Sequence, residues 1–238
     1  MLPPGPLHLV ASDRSVEYKK KLFRIAKTFV VSLAEMGLVA VTPNLHSRRY
    51  RFGGGAKAVP VLEIGEVRKL IDEAPGQLKL HLLLMANTGM TQTDVSDLHP
   101  SEVDWERGRV TRKRSKTEDR ASVPTVEYPL WPFTWELLQR YGHREGDRVL
   151  WTESGRPWVR DWISEDGKRH KTDAIKSNYV HLARRLKVDT PMKLLRKTSS
   201  SLLETHEVYG RYATLFLGQS PRSIADRHYV WPSQDLFD

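Results

Sequence analysis

The sequence predicts a mainly helical α+β protein with one small three-stranded antiparallel sheet, preceded by a partial helical segment. Three observations lead there. Apolar residues recur at spacings of three and four through most of the chain, as on the buried stripe of a helix. Only one stretch, from Val103 to Val126, breaks into short runs bounded by turn residues, as the strands of a meander do. A segment rich in arginine and glycine, Ser47-Arg-Arg-Tyr-Arg-Phe-Gly-Gly-Gly-Ala56, divides a small N-terminal portion from a longer remainder.

Taken in order, residues 1 to 12 open on Pro3-Pro4-Gly5-Pro6 and are expected to form an extended lead-in, since proline interrupts a helix. Val16, Leu22, Ile25, Ala26, Phe29, Val30, Leu33 and Met36 then mark an amphipathic helix ending at Gly37, with Lys19, Lys20, Lys21, Arg24 and Lys27 on its other face. One helix encloses no core, so this piece is expected to be the last element of a helical domain. The larger domain starts near Val59. A short helix over Ile64 to Glu73 precedes one over Leu78 to Asn87, which is apolar on nearly every side and so predicted to be the central buried helix. Gly89 punctuates its end. Thr91-Gln-Thr-Asp94 has the form of a capping box, opening a helix that turns Val95 and Leu98 inward. Val103-Asp-Trp105, Arg109 to Arg114 and Ala121 to Val126 are the predicted strands, with turns at Arg107-Gly108 and Thr117-Glu-Asp-Arg120. Everything beyond is expected to be helical: Pro132 to Tyr141, a helix marked by Ile175, Tyr179, Leu182 and Leu186, then Met192 to Leu203, Val208 to Leu217, and a short helix through Ile224 leading to Tyr229.

Composition narrows the function. Thirty-eight Lys and Arg against twenty-nine Asp and Glu leave a formal charge of +9, which favours polyanionic partners. The longest apolar run, Leu82 to Ala86, is far short of the ~20 residues that span a bilayer, so no membrane partner is expected. Absence of cysteine excludes disulfides, thiol nucleophiles and Cys-ligated zinc, and the nine histidines show no metal-binding spacing. The densest basic stretch, Arg107 to Arg120, has seven Lys or Arg against two acids and falls on the predicted hairpin. Such a strand pair fits a DNA groove, and equally well serves as a charged edge that resists aggregation.

Order and spacing decide between these. The segment Leu82-Leu-Leu-Met-Ala-Asn-Thr-Gly-Met-Thr-Gln-Thr-Asp-Val-Ser-Asp-Leu98 resembles the first box of the tyrosine recombinases, the phage-integrase family. Ser115-Lys116-Thr117 resembles that family's strand-turn lysine, Lys193-Leu-Leu-Arg196 its His-x-x-Arg box, and Leu217-Gly-Gln-Ser220 with Ile224-Ala-Asp-Arg-His-Tyr229 its closing tyrosine segment. The resemblance implies a catalytic domain over residues 58–238. Residues 1–57 would comprise an N-terminal extension, a partial core-binding helix and a basic linker.

It implies, further, an enzyme that cleaves and rejoins DNA through a 3′-phosphotyrosyl intermediate without a cofactor, with Tyr229 as nucleophile, Arg196 as a phosphate-clamping arginine and Lys116 as general acid. Three positions depart from the family pattern. Thr91 stands where the first arginine belongs, Lys193 where the box histidine belongs, and Gln219 where a later His or Trp belongs. A threonine hydroxyl does not reproduce a cationic fork, and losing such a donor costs about 3 kcal/mol in the transition state. Lys193, Arg112 or Arg114 is expected to compensate, and Arg112, Lys113, Arg114, Thr91 and Gln219 are expected to contact DNA. The expected partner is double-stranded DNA, with homo-oligomers assembled on it, in a bacterial or phage cytoplasm and at the nucleoid. A catalytically degenerate DNA-binding protein and a type IB topoisomerase-like strand relaxer are the alternatives. Thr91 also fits a plain helix cap, and Arg196 a structural ion pair.

Overall fold

The computed structural model describes residues 14–40, 60–114 and 123–220. The chain divides into two compact units, Met1–Val59 and Pro60–Asp238. The lead-in, the arginine-glycine segment, the hairpin tip with Lys116 and the last predicted helix with Tyr229 all lie outside the described residues.

In the first unit, α1 spans Val16–Glu35. The Ser15 hydroxyl accepts a hydrogen bond from the Tyr18 amide at its start, and Gly37 in the left-handed region (φ 71°) follows its end. None of its residues is buried, and Phe29 keeps 63% of its surface exposed.

The second unit runs α2 (Ile64–Glu73), α3 (Gly76–Thr88), α4 (Gln92–Ser96), β1 (Val103–Asp104), β2 (Arg109–Lys113), β3 (Thr125–Pro129), α5 (Pro132–Tyr141), β4 (Val159–Ile163), β5 (Arg169–Asp173), α6 (Ala174–Leu186), α7 (Lys193–Glu204) and α8 (Ala213–Phe216). α3 is the hub. Every residue from Leu80 to Thr88 is buried, and α2, α4, α5, α6 and α7 all pack against it. Leu82 and Leu84 meet Leu70, Leu138, Ile175 and Leu195 in one continuous core. Polar pins orient the layers around it. Asn87 donates to the Pro129 carbonyl (3.1 Å) and accepts from the Trp131 amide (2.7 Å), fastening the end of β3 to α3. The Leu62 amide donates to the buried Thr198 hydroxyl of α7 (2.8 Å).

The three-stranded antiparallel sheet has the order β1-β2-β3, with Val103 opposite Val110 and Arg109 opposite Pro129. Its third strand begins at Thr125, later than expected, and continues to Pro129. The reason lies in side-chain alternation: Val126 and Tyr128 face inward, and Glu127 on the other face pairs with Arg109 at 2.6 Å. Pro129 is tolerated because β3 is an edge strand.

The expectation of helix alone after that sheet is incorrect. β4 and β5 form a second antiparallel pair, with Val159 opposite Asp173 and Ile163 opposite Arg169. Asp166-Gly167 turns the chain, with Gly167 left-handed (φ 77°) and the Ser164 amide donating to the Lys168 carbonyl (2.8 Å). The helix expected over Val208 to Leu217 is also shorter. Gly210 opens a single 3₁₀ turn, and α8 begins only at Ala213. A Cβ at residue 210 would lie 2.6 Å from the Glu204 carbonyl oxygen, so the tight return from α7 requires glycine.

Candidate active site

The site forms where the C-terminus of α3, the start of α4, the end of β2 and the turn after α8 meet α7. Gly89 ends α3 in the left-handed region (φ 64°), and a side chain there would reach within 2.9 Å of the Phe216 ring. That close approach brings the Gly89 and Leu217 carbonyls within reach of one side chain. Arg196, one turn inside α7, donates through Nη1 to the Gly89 oxygen and through Nη2 to the Leu217 oxygen (2.6 Å). Carbonyls orient the guanidinium without neutralising it, and no carboxylate among the described residues forms an ion pair with it.

Arg112 and Arg114 line the same cleft, together with Asp94 and Tyr128. β2 explains why, because period-two alternation carries Arg112 and Arg114 onto the face of the buried Val110 and leaves Lys113 on the other. The fates of the two arginines differ. Arg112 is 7% exposed, and its Nη1 donates to Glu102 Oε2 (2.5 Å) and to the Asp97 carbonyl (3.4 Å). Arg114 forms no hydrogen bond or ion pair among the described residues. Burial, followed by the like charge of Arg114, pushes the Arg196 guanidinium below its ordinary pKa. Burial pushes the Tyr128 hydroxyl above its ordinary value, so it stays protonated and donates to the Phe216 carbonyl (2.9 Å).

Thr91 sits beside the cleft as the N-cap of α4. Its hydroxyl donates to Asp94 Oδ2 (2.7 Å) and accepts from the Asp94 amide (3.3 Å), while its own amide donates to the same carboxylate (2.8 Å). Lys193 is exposed one turn before Arg196 and lines an adjoining open cleft of about 1320 Å³ with Gln92, Thr93, Lys171, Lys176 and Lys187. Gln219 is half-buried, its backbone N–H donating to the Thr214 carbonyl (3.1 Å). Arg196, Arg112 and Arg114 are therefore brought together; Lys193 and Lys113 are not among the residues lining that cleft, and Lys116 and Tyr229 lie outside the described residues. Sequence reasoning missed Asp94 as a wall of the site and Tyr128 as its floor. The alternation Val110-Thr-Arg112-Lys-Arg114 was the available signal for the inward-facing pair. Among the described residues no group of three or more His, Asp and Glu side chains gathers to hold a metal ion, and no helix is long and apolar enough to cross a membrane.

This architecture is the tyrosine-recombinase catalytic fold, as comparison with solved structures shows. Residues 75–356 of lambda integrase bound to DNA superpose with a TM-score of 0.66 at 15% identity, covering 98% of this chain and 85% of that one. The Tn1549 transposon integrase in complex with transposon right end DNA gives 0.66 at 12% identity, covering 97% and 80%. A lambda integrase dimer bound to a COC′ core site gives 0.62 at 17% identity, and there this chain spans 92% of itself but only 62% of the integrase. No family model matches the sequence, and no curated protein does.

Proposed function

We propose that this chain binds duplex DNA and cleaves and rejoins it by site-specific recombination or integration, through a 3′-phosphotyrosyl intermediate on Tyr229. The observation that carries this is Arg196, a cation steered by two backbone carbonyls and lacking a carboxylate partner among the described residues, beside a second arginine in the same cleft. A DNA phosphate supplies the anion that no ion pair with Arg196 provides among the described residues. Lys193 and the lysines of the adjoining cleft extend the cationic surface, and several solved structures of this fold are complexes with DNA, among them a lambda integrase dimer on a core site and a tetramer on a Holliday junction. Tyr229 Oη attacks the phosphorus and gives up its proton to solvent, the P–O5′ bond breaks as the 5′-oxygen takes a proton from Lys116, and in the reverse step a 5′-hydroxyl attacks the phosphorus, returns its proton to Lys116 and releases Tyr229, which is reprotonated from solvent. Assembly of copies on DNA provides the second strand.

Duplexes enriched from a random pool by binding, then nicked beside the cleavage point, test this. A covalent protein–DNA adduct, lost in Tyr229→Phe, is the expected result. Binding with no adduct at any nick position overturns cleavage and supports the degenerate DNA-binding function, which the use of Thr91 as a helix cap favours. Relaxation of supercoils without strand exchange supports the topoisomerase-like alternative.

A further inference from the structure

We infer that Arg114 is the second guanidinium of the phosphate clamp, holding with Arg196 the non-bridging oxygens of the attacked phosphate. This rests on the proposed cleavage of DNA and assigns a role within that site. Thr91 is unsuited to the task, because its hydroxyl and amide are both engaged with Asp94 in the cap of α4. Arg112 is unsuited for a different reason. Its guanidinium is buried against Glu102 and the Asp97 carbonyl, and exchanging that carboxylate for a DNA phosphate would strand Glu102.

Arg114 has the properties the other two lack. It lines the cleft with Arg196 and has no partner among the described residues. The turn after α8 restrains its stem: a Cβ built on Gly218 would lie 3.5 Å from the Arg114 Cβ, so the segment whose Leu217 carbonyl holds Arg196 also packs against Arg114. One turn thereby registers both guanidiniums. Among the described residues the cleft is lined by three arginines and one carboxylate, Asp94, with Glu102 paired to Arg112 behind it, so there positive charge exceeds negative in a partly desolvated place. Like charges held this close repel unless an anion joins them. The space between them, about 20 Å³, admits no more than a water, so a phosphate is met at the mouth, by the guanidinium edges. Neither arginine moves a proton; they meet the charge that gathers on the non-bridging oxygens while the bond to Tyr229 Oη forms and that to the 5′-oxygen breaks.

The test compares nicked duplexes carrying either a phosphodiester or a neutral methylphosphonate at the cleaved step. Arg114→Ala is expected to slow adduct formation about 100-fold on the phosphodiester. Its deficit on the methylphosphonate should fall below about 10-fold, because the neutral group no longer demands a second cation. Arg114→Gln is expected to behave in the same way, and Arg160→Ala to match the parent protein on both substrates. Circular dichroism confirms that each variant is folded. Undiminished cleavage by folded Arg114→Ala overturns the inference and leaves the proposed function standing. A deficit of equal size on both substrates overturns it as well, by making the residue structural. Absence of any adduct from the parent protein removes both.

Discussion

The two antiparallel strand pairs of this protein are similarly rich in arginine and lysine, yet their charges have opposite fates. On β4, β5 and the turn between them most cations are satisfied locally and in water. Arg169 grips Asp161 through two hydrogen bonds (2.7 and 2.6 Å), Lys168 meets Asp166 at 2.7 Å, and Arg160 lies 4.5 Å from the centre of the Trp162 ring. On the three-stranded sheet Arg109 pairs with Glu127 on the outer face, but two cations at the end of β2 turn toward the core, where Arg112 is neutralised by Glu102 and Arg114 is left beside Arg196. Basic density therefore says little about where an anion is wanted. What matters is which cation folding removes from water without giving it a counter-charge, since the lower dielectric there magnifies both pairing and its absence.

The largest test of this contrast is Arg112→Ala. Removing one member of a buried ion pair leaves the other charge stranded, and because Glu102 keeps 25% of its side chain exposed the loss is expected at about 2 to 3 kcal/mol. Urea unfolding followed by circular dichroism measures it. A loss indistinguishable from that of Arg169→Ala would break the contrast.

A second effect, smaller per pH unit, separates the two strand pairs by how they are rooted. The sheet is fastened to the end of α3 by Asn87, whereas β4 emerges from Trp158, whose ring meets His81 edge-on at 4.5 Å in the middle of α3. His81 is fully buried, and that burial lowers its pKa from 6.5 to about 3. In the folded protein it stays neutral down to about pH 3, while the unfolded chain binds a proton from 6.5 downward. Between these values the unfolded state holds more protons, so its stabilising contribution is complete above pH 6.5 and lost as pH falls, by about 1.4 kcal/mol per unit. Unfolding between pH 6.5 and 4.5 is expected to show this slope, and His81→Phe to flatten it. Amide exchange should quicken first at Ala174, whose amide donates to the Trp158 carbonyl (2.9 Å). An unchanged slope in His81→Phe would assign the pH dependence to other groups.

What the sequence discloses follows the same division. α3 is legible because ten residues without a polar face can only be central, and Gly89 is legible as its stop. The cap at Thr91 is legible because threonine and aspartate stand three apart. The β4–β5 hairpin is not, since Arg-Asp-Trp-Ile and Arg-His-Lys-Thr-Asp carry no apolar alternation: both strands are largely exposed, paired through their backbones and the Trp162–His170 stack, and only Asp166-Gly167 announces a turn. The site is legible in part. Arg196 stands out by its place in a box, but its two carbonyl acceptors are backbone atoms from segments 107 and 21 residues away, which no side-chain pattern records.

The smallest expected effect is the sharpest. Arg169→Ala and Asp161→Ala each dismantle the best-formed ion pair on β4 and β5, a bidentate contact at ideal length. By geometry alone it outranks the single contact between Arg112 and Glu102. Yet the Arg169 side chain is 74% exposed, both groups stay hydrated when parted, and ordering two long side chains offsets the attraction. Neither substitution is expected to move the urea midpoint or the Tm beyond experimental error, and the double variant should show no coupling, at low salt or at high. The Trp162 ring, stacked on His170 at 5.2 Å and covered by Arg160, keeps the strands paired in all three variants. Should Arg169→Ala instead destabilise the fold as much as Arg112→Ala does, bond geometry rather than dielectric environment would rank the charges of this protein, and Arg114 would lose its claim to be the cation in want of an anion.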